Sequence, residues 1–247
     1  MANLNSGSAI QGSRLYLQEY IVNAKEKLSE LIIAASPSLL SFIGSKSEIE
    51  WKSPLKKPEK LGKEEFYEYR DDFLEVFYLD DEVNLSKAKE KLREFWPKNG
   101  PQWDGLAIVN DIKGQKGLLL VEAKAHIDET KSDIKAVSTE SIDKIKKAIT
   151  VTQECYGIET TDWTKHYYQL GNRLAFLYFM NEVLNIPTWF VLINFTEGDY
   201  KTTGIEKWLG HYHRIYGAMG IKHNNYKLLS NMIQIFPIAL KGKCKAK

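Results

Sequence analysis

Cysteine is nearly absent from this 247-residue chain: Cys155 and Cys244 lie far apart, and neither sits in a CxxC or Cys/His spacing. That argues against a disulfide framework and against a zinc module, and it fits a reducing cytoplasm. Arginine is scarce too, with Arg14, Arg70, Arg93, Arg173 and Arg214 the only ones among 34 basic residues. A rich base-reading surface is thereby disfavoured, because bidentate arginine is the usual reader of guanine in the major groove. Net charge is small, +2, since 32 acidic residues nearly cancel the basic ones. Any surface for a polyanion is therefore local. There is no apolar run of membrane-spanning length, and the start, "MANLNSGSAIQGS", lacks the basic-then-apolar pattern of a secretion signal. The expectation is a soluble cytoplasmic protein with no membrane partner. No internal repeat or low-complexity linker is visible.

What is present reads as alternating elements. Apolar residues at helical spacing predict a helix over 15–34, with Ser13 placed as N-cap, broken by "SPSLLSFIGSKS". A short strand is predicted at "EIEWK", followed by an exposed Lys/Pro connector over 53–63. In "EEFYEYRDDFLEVFYLDDE", Phe66, Tyr69, Phe73, Val76 and Phe77 recur at three and four, which predicts a helix with Glu68, Asp71, Asp72 and Glu75 on a solvated face. "LSKAKEKLREFW" predicts a second, lysine-rich helix. Beyond it come two strands, "DGLAIVN" and "GLLLVEAKAH", and a helix within "KAVSTESIDKIKKAITVTQECYG". A strong helix follows at "TKHYYQLGNRLAFLYFMNEVL", capped near Asp162 or Thr164, then the buried strand "TWFVLINF". "GIEKWLGHYHRIYGAMG" predicts a helix, and "MIQIFPIAL" a last strand that Pro237 favours at a sheet edge. The whole chain reads as one α/β (α+β) domain with a mixed sheet: a mainly helical part over 1–97, a core over 98–240 and a basic tail over 241–247.

The stretch from Trp103 to His126 carries the chemistry. Along its second strand Leu118, Leu120, Glu122, Lys124 and His126 point one way, and Leu119, Val121, Ala123 and Ala125 the other. One face thus passes from apolar to ionic. A hairpin turning around Lys113 sets Asp104 opposite Glu122, where two carboxylates repel unless a cation sits between them. Such oxygen ligands suit Mg²⁺, with Mn²⁺ able to substitute. A bound ion of this kind polarises a phosphodiester and lowers the pKa of an attacking water. Lys124 stands one pleat on, and the Ala123 carbonyl is a further candidate ligand.

Asp104, followed at this distance by Glu122-Ala123-Lys124 at the end of an apolar strand, resembles the PD-(D/E)XK nuclease signature, the restriction-endonuclease-like superfamily. The resemblance covers Trp103 to His126 and the element order downstream. It implies an αβββαβ-type core, a metal held by Asp104 and Glu122, and Lys124 as catalytic partner in hydrolysing nucleic acid, DNA first. Trp103 stands where the family often has proline. Members often add an acidic residue on the first core helix, for which Glu19, Glu68, Glu90 and Glu94 all remain open. The bare [DE]xK pattern carries little here, since 50–52, 111–113, 133–135 and 199–201 match it as well. Only Glu122 follows an apolar run and faces an aspartate on the preceding strand.

On the downstream helix His166, Gln169 and Arg173 share a face by spacing, and in related nucleases a polar residue there often assists; Gln169 is the candidate catalytic helper and Arg173 a candidate phosphate binder. Tyr168 offers a ring for stacking on a base, and His126 continues the ionic face as a further substrate contact. Gly171 and Ala175 are spaced for close helix packing. His211 and His213 diverge on a helix and make no metal pair. A homodimer would suit an enzyme that cuts both strands. The competing expectations are a nucleic-acid- or protein-binding module that kept the fold without catalysis, and a structural domain with a fortuitous motif.

Overall fold

The computed structural model describes residues 9–44, 48–60, 63–66, 68–70, 72–79 and 81–240, with backbone alone at 56–60 and 63–65. The chain folds around a five-stranded open mixed sheet. Its strands are β1 (Glu50–Ser53), β4 (Gly105–Asn110), β5 (Lys116–Lys124), β6 (Thr188–Asn194) and β7 (Met232–Ile235), in that spatial order. The first three are antiparallel neighbours, whereas β5, β6 and β7 run parallel. A separate two-stranded hairpin joins β2 (Lys56–Lys60) to β3 (Lys63–Phe66).

The hairpin of β4 and β5 pairs Gly105 with Val121 and Leu106 with Leu120, the register centred on Lys113 that the sequence predicts. Its turn closes where Gly114 takes φ +87°, a left-handed conformation that glycine adopts without a Cβ penalty. Side-chain alternation along β5 divides the core in two. Leu119, Val121, Ala123 and Ala125 pack beneath α1 (Gly12–Asn23), α2 (Lys25–Ala34) and α3 (Pro37–Ile43), alongside Leu17, Tyr20, Leu28 and Ile32. Leu118 and Leu120 face the other layer, built by α4 (Phe73–Phe77), α5 (Glu82–Phe95), α6 (Thr139–Cys155), α7 (Tyr168–Tyr178) and α8 (Ile205–Ala218), with the short α9 (Tyr226–Leu229) at the end. Complete burial of each such leucine is worth about 1.5–3 kcal/mol, so two filled layers account for the sheet's position. As predicted, β6 is wholly buried and β7 lies at the edge, with Pro237 just beyond it. No helix among the described residues is long and apolar enough to cross a membrane.

The structure corrects several expectations. The helix predicted over 15–34 is two helices, because Ala24 leaves helical geometry (φ −152°, ψ 37°). Ser13 is not its cap; that place falls to Gln11, which makes no side-chain cap bond. "SPSLL" begins a helix where it was expected to end one. Ser36 Oγ accepts from Leu39 N at 3.2 Å, and proline in the first turn gives up an N–H that would be unpaired in any case.

The Lys/Pro connector contains β2 and ends at the first residue of β3, with Pro58 tolerated where the register shifts between Lys57 and Lys60. Helix over the aromatic segment is confined to Phe73–Phe77; Phe66 is buried from a strand, so its spacing from Phe73 is coincidental. Glu68 is buried, not on a solvated face. α7 starts at Tyr168 and is not capped by Asp162 or Thr164, since Asp162 spends its carboxylate on the Thr164 N–H and hydroxyl in a local turn. The basic tail over 241–247 with Cys244, and Asp71, lie outside the described residues.

Candidate active site

Three elements meet at the carboxyl end of β5. Trp103, fully buried between Phe73 and Phe176, anchors the chain just before β4 and so fixes the position of Asp104. From there Asp104 Oδ2 accepts the Ala123 N–H at 2.8 Å, which ties the start of β4 to the end of β5. Glu122 and Lys124 point to the same face, and the Lys124 ammonium donates directly to Glu122 Oε1. α7 completes the group. Gln169 Nε2 donates to Glu122 Oε1 at 2.7 Å, and its Oε1 accepts from Lys124 Nζ at 2.9 Å. Gln169 itself is placed by its backbone N–H, which donates to Ser132 Oγ at 2.7 Å.

Arg173, one turn further along α7, closes the other side. Its Nε and Nη2 donate to Glu122 Oε2 at 2.8 and 2.6 Å, Nη1 donates to Asn172 Oδ1, and Nη2 also reaches the Gln102 carbonyl. The guanidinium lies 4.7 Å from the centre of the Trp103 ring. Buried and committed to protein acceptors, Arg173 orients Glu122; it does not present itself as the phosphate contact that the sequence suggests. α7 approaches this closely because of Gly171, where a Cβ would stand 2.9 Å from Trp163 Cβ.

The electrostatics follow from this packing. Burial works to raise the Glu122 pKa, but Arg173 and Lys124 outweigh it and hold the carboxyl below its ordinary value. Asp104 goes the other way. One edge of its carboxyl faces a cleft, yet protein surrounds the rest, and that desolvation together with the Glu122 charge pushes it up to about 8. Of the four candidate acids on the amino-terminal side, only Glu68 acts on this group. Its charge raises Asp104, and its own pKa is raised by burial despite Arg14 and Gln102. Glu68 accepts from Arg14 Nε and from Gln102 Nε2, and Arg70 donates to Gln102 Oε1 at 2.9 Å. Glu68 is not on a helix; it lies between β3 and α4.

The charges of Glu122 and Glu68 add to burial in raising the Asp104 pKa, and a divalent cation beside these hard oxygen donors would relieve that repulsion. Mg²⁺ commonly takes only one or two carboxylates and fills its shell with water and phosphate oxygens. The pair Asp104 and Glu122 meets that requirement, although among the described residues no cluster of three or more His, Cys, Asp or Glu side chains is built to hold a metal. Ala123 engages Asp104 through its N–H.

Other predicted residues fare differently. Tyr168 lines the cleft in front of Asp104. His166 is off α7, at φ +61°, and does not share a face with Gln169 and Arg173. His126 is buried, 3.4 Å from Glu129 and edge-on to Tyr200, and does not line the cleft, because β5 ends at Lys124. His211 is buried and bonds Thr130 Oγ1 at 2.7 Å, whereas His213 is exposed. Sequence reasoning missed Arg14 and Gln102. The scarcity of arginine and the position of Gln102 two residues before Asp104 were the available signals. Comparison with known proteins returns no match, whether to a family model, a curated protein or a solved structure.

Proposed function

We propose that this protein is a metal-dependent nuclease of the PD-(D/E)XK type, hydrolysing phosphodiester bonds in nucleic acid, DNA first, on a restriction-endonuclease-like core. One observation carries the reading: Asp104, Glu122, Lys124 and Gln169, remote in sequence, converge at the end of a central strand beside an open cleft. Ligands of open α/β sheets bind in the crevice outside the carboxyl ends of the strands, which is where this group lies. Asp104 and Glu122 would hold Mg²⁺ or Mn²⁺, with the Ala123 carbonyl as a further ligand; the ion supplies Lewis-acid polarisation of the phosphate and an acidified water.

The remaining roles belong to the chain. Lys124 places a fixed positive charge where a phosphate oxygen gains negative charge, a service that needs no reorganisation during reaction. Gln169 bridges Lys124 and Glu122 and so fixes their mutual geometry. Arg173 keeps Glu122 ionised inside the protein. A homodimer would let two such sites cut two strands.

The test is cleavage of supercoiled, linear and single-stranded DNA and of RNA in Mn²⁺ and in EDTA. Wild type is expected to cut, EDTA to stop it, and Lys124→Ala and Glu122→Gln each to slow it about a hundredfold to a thousandfold. Both changes take the counter-charge from Lys124 and Arg173, but Glu122→Gln is the informative one because it keeps the side-chain volume and an acceptor oxygen, and melting measured alongside shows whether the fold survives. Undiminished cutting by Glu122→Gln sinks the assignment. A second reading, a nuclease-like binding module without hydrolysis, is favoured by one fact: both Glu122 oxygens already accept two donors each. Polynucleotide binding without carboxylate-dependent Mn²⁺ binding would select it.

A further inference from the structure

The cleft in front of Asp104 has a volume of about 830 Å³ and more positive charge than its floor needs. Arg14 is matched by Glu68, and Arg173 by Glu122. Arg70, Lys98, Lys131 and Lys135 remain on the walls, against Asp104 and Asp133. Lys98, Lys131 and Lys135 are exposed. The ion pair that Lys131 makes with Asp128 is long, 3.9 Å.

The two segments that carry these lysines differ in construction. Lys98 stands on the loop that follows α5. Lys131 and Lys135 belong to an extended segment clamped to the approach to α7: Ser132 N donates to the His166 carbonyl at 2.7 Å, Ile134 N to Thr164 at 2.9 Å, and Tyr168 N returns to Ser132 at 3.0 Å. Along that segment exposure alternates, with Lys131, Asp133 and Lys135 outward and Ser132, Ile134 and Ala136 more covered. At ~3.3 Å per residue the two lysines are rooted about 13 Å apart on a rigid rail. Tyr168 contributes an aromatic ring to the same lining.

We infer that this cleft takes a single-stranded segment of polynucleotide, its phosphates held by Lys98, Lys131 and Lys135, with Tyr168 under a base. The inference rests on the nuclease reading and names the substrate form for the same site. Its physical basis is size and chemistry together. Pockets of about 300–1,000 Å³ enclose a drug-sized molecule, equivalent to a few nucleotides. A cleft of that volume encloses a short single strand and not the two backbones and paired bases of a duplex. Lysine and one aromatic ring recognise backbone and any base face, which is the sequence-tolerant mode of single-strand binding.

The test is fluorescence anisotropy of wild-type protein in EDTA with a labelled 12-mer as single-stranded DNA, as single-stranded RNA and as duplex DNA. Either single strand is expected to bind at least tenfold more tightly than duplex, and the two single-stranded arms identify the sugar. Lys131→Glu combined with Lys135→Glu is expected to weaken single-strand binding tenfold or more. The slope of log affinity against log salt should become shallower by about 1.4, ~0.7 for each phosphate that is no longer neutralised, with thermal unfolding unchanged. Duplex binding as tight as single-strand binding, or a double variant that keeps affinity and salt slope, overturns the inference. Mn²⁺ calorimetry on the same wild-type protein separates the two ideas. If the metal binds and duplex is cut, the single-strand inference falls alone. If neither metal nor any polynucleotide binds, both fall.

Discussion

The two faces of the sheet treat the same strand in opposite ways. On the face covered by α1, α2 and α3, β5 presents Leu119, Val121 and Ala123, continued by Ala125, to an apolar cluster that includes Leu17, Leu28 and Ile32. On the other face it presents Leu118 and Leu120 and then changes to Glu122 and Lys124, both still buried. The first face is stabilised by close packing, which tolerates no hole but is indifferent to pH and ions. The second is stabilised only as far as each charge finds its partner, since an unpaired buried charge costs several kcal/mol. On the proposed reading, Asp104, raised by burial and by the Glu122 charge, is the group to which a cation would add most.

The sharpest way to break this contrast is Arg173→Met. With its partner gone, Glu122 is left buried beside Lys124 alone, and denaturant unfolding should show a loss of about 3–5 kcal/mol. Adding Glu122→Gln should recover much of that, because removing a buried pair costs less than breaking it; a double variant as unstable as the single would contradict the account. On the apolar face, Leu119→Ala should cost about 3 kcal/mol by leaving a cavity, with no change in the metal dependence of cleavage. Altered Mn²⁺ affinity in that variant would show that the two faces are coupled.

Gly171→Ala is a smaller perturbation, about 1–3 kcal/mol, as the added methyl forces α7 away from Trp163. It should reduce cleavage more than stability, since Gln169 and Arg173 move with the helix; cleavage rates and melting measured together decide. A test that changes no residue is pH in EDTA. The folded pKa of Asp104, about 8, lies above its unfolded value, so between pH 4 and 8 the folded state binds the extra proton. Stability from this group should fall as pH rises through that window, by no more than about 1.4 kcal/mol per unit, and level off above it. Asp104→Asn should flatten the slope, and an unchanged profile would show that Asp104 ionises normally.

Much of the hairpin was legible in one dimension. Residues 104 and 122 are equidistant from Lys113, and strict alternation after Gly117 assigns each side chain to a face, so Asp104, Glu122 and Lys124 could be placed together without coordinates. Helical spacing also set Gln169 and Arg173 on one face of α7, and both do meet Glu122. What Arg173 does there was not legible, since a guanidinium at that spacing serves a phosphate or a carboxylate equally well. Glu68 was equally unreadable: its run of acidic neighbours mimics a solvated helix face, and the partners that accompany its burial, Arg14 and Gln102, are 54 and 34 residues away. The connector over 53–63 was misread because proline marks a loop unless an irregular strand register makes room for it.

By itself the sequence determined the period of each long element, the register of the central hairpin and the residue types at its charged end, because these depend on local geometry and on spacing of 2 or 3.6 residues. The tertiary structure alone decided which acid stands behind Asp104, that Arg173 belongs to Glu122, and that Lys98 lines the same cleft as Lys131 and Lys135. Those outcomes depend on pairing between distant segments, and the free energy of a buried charge is set by the partner that arrives, not by its neighbours along the chain.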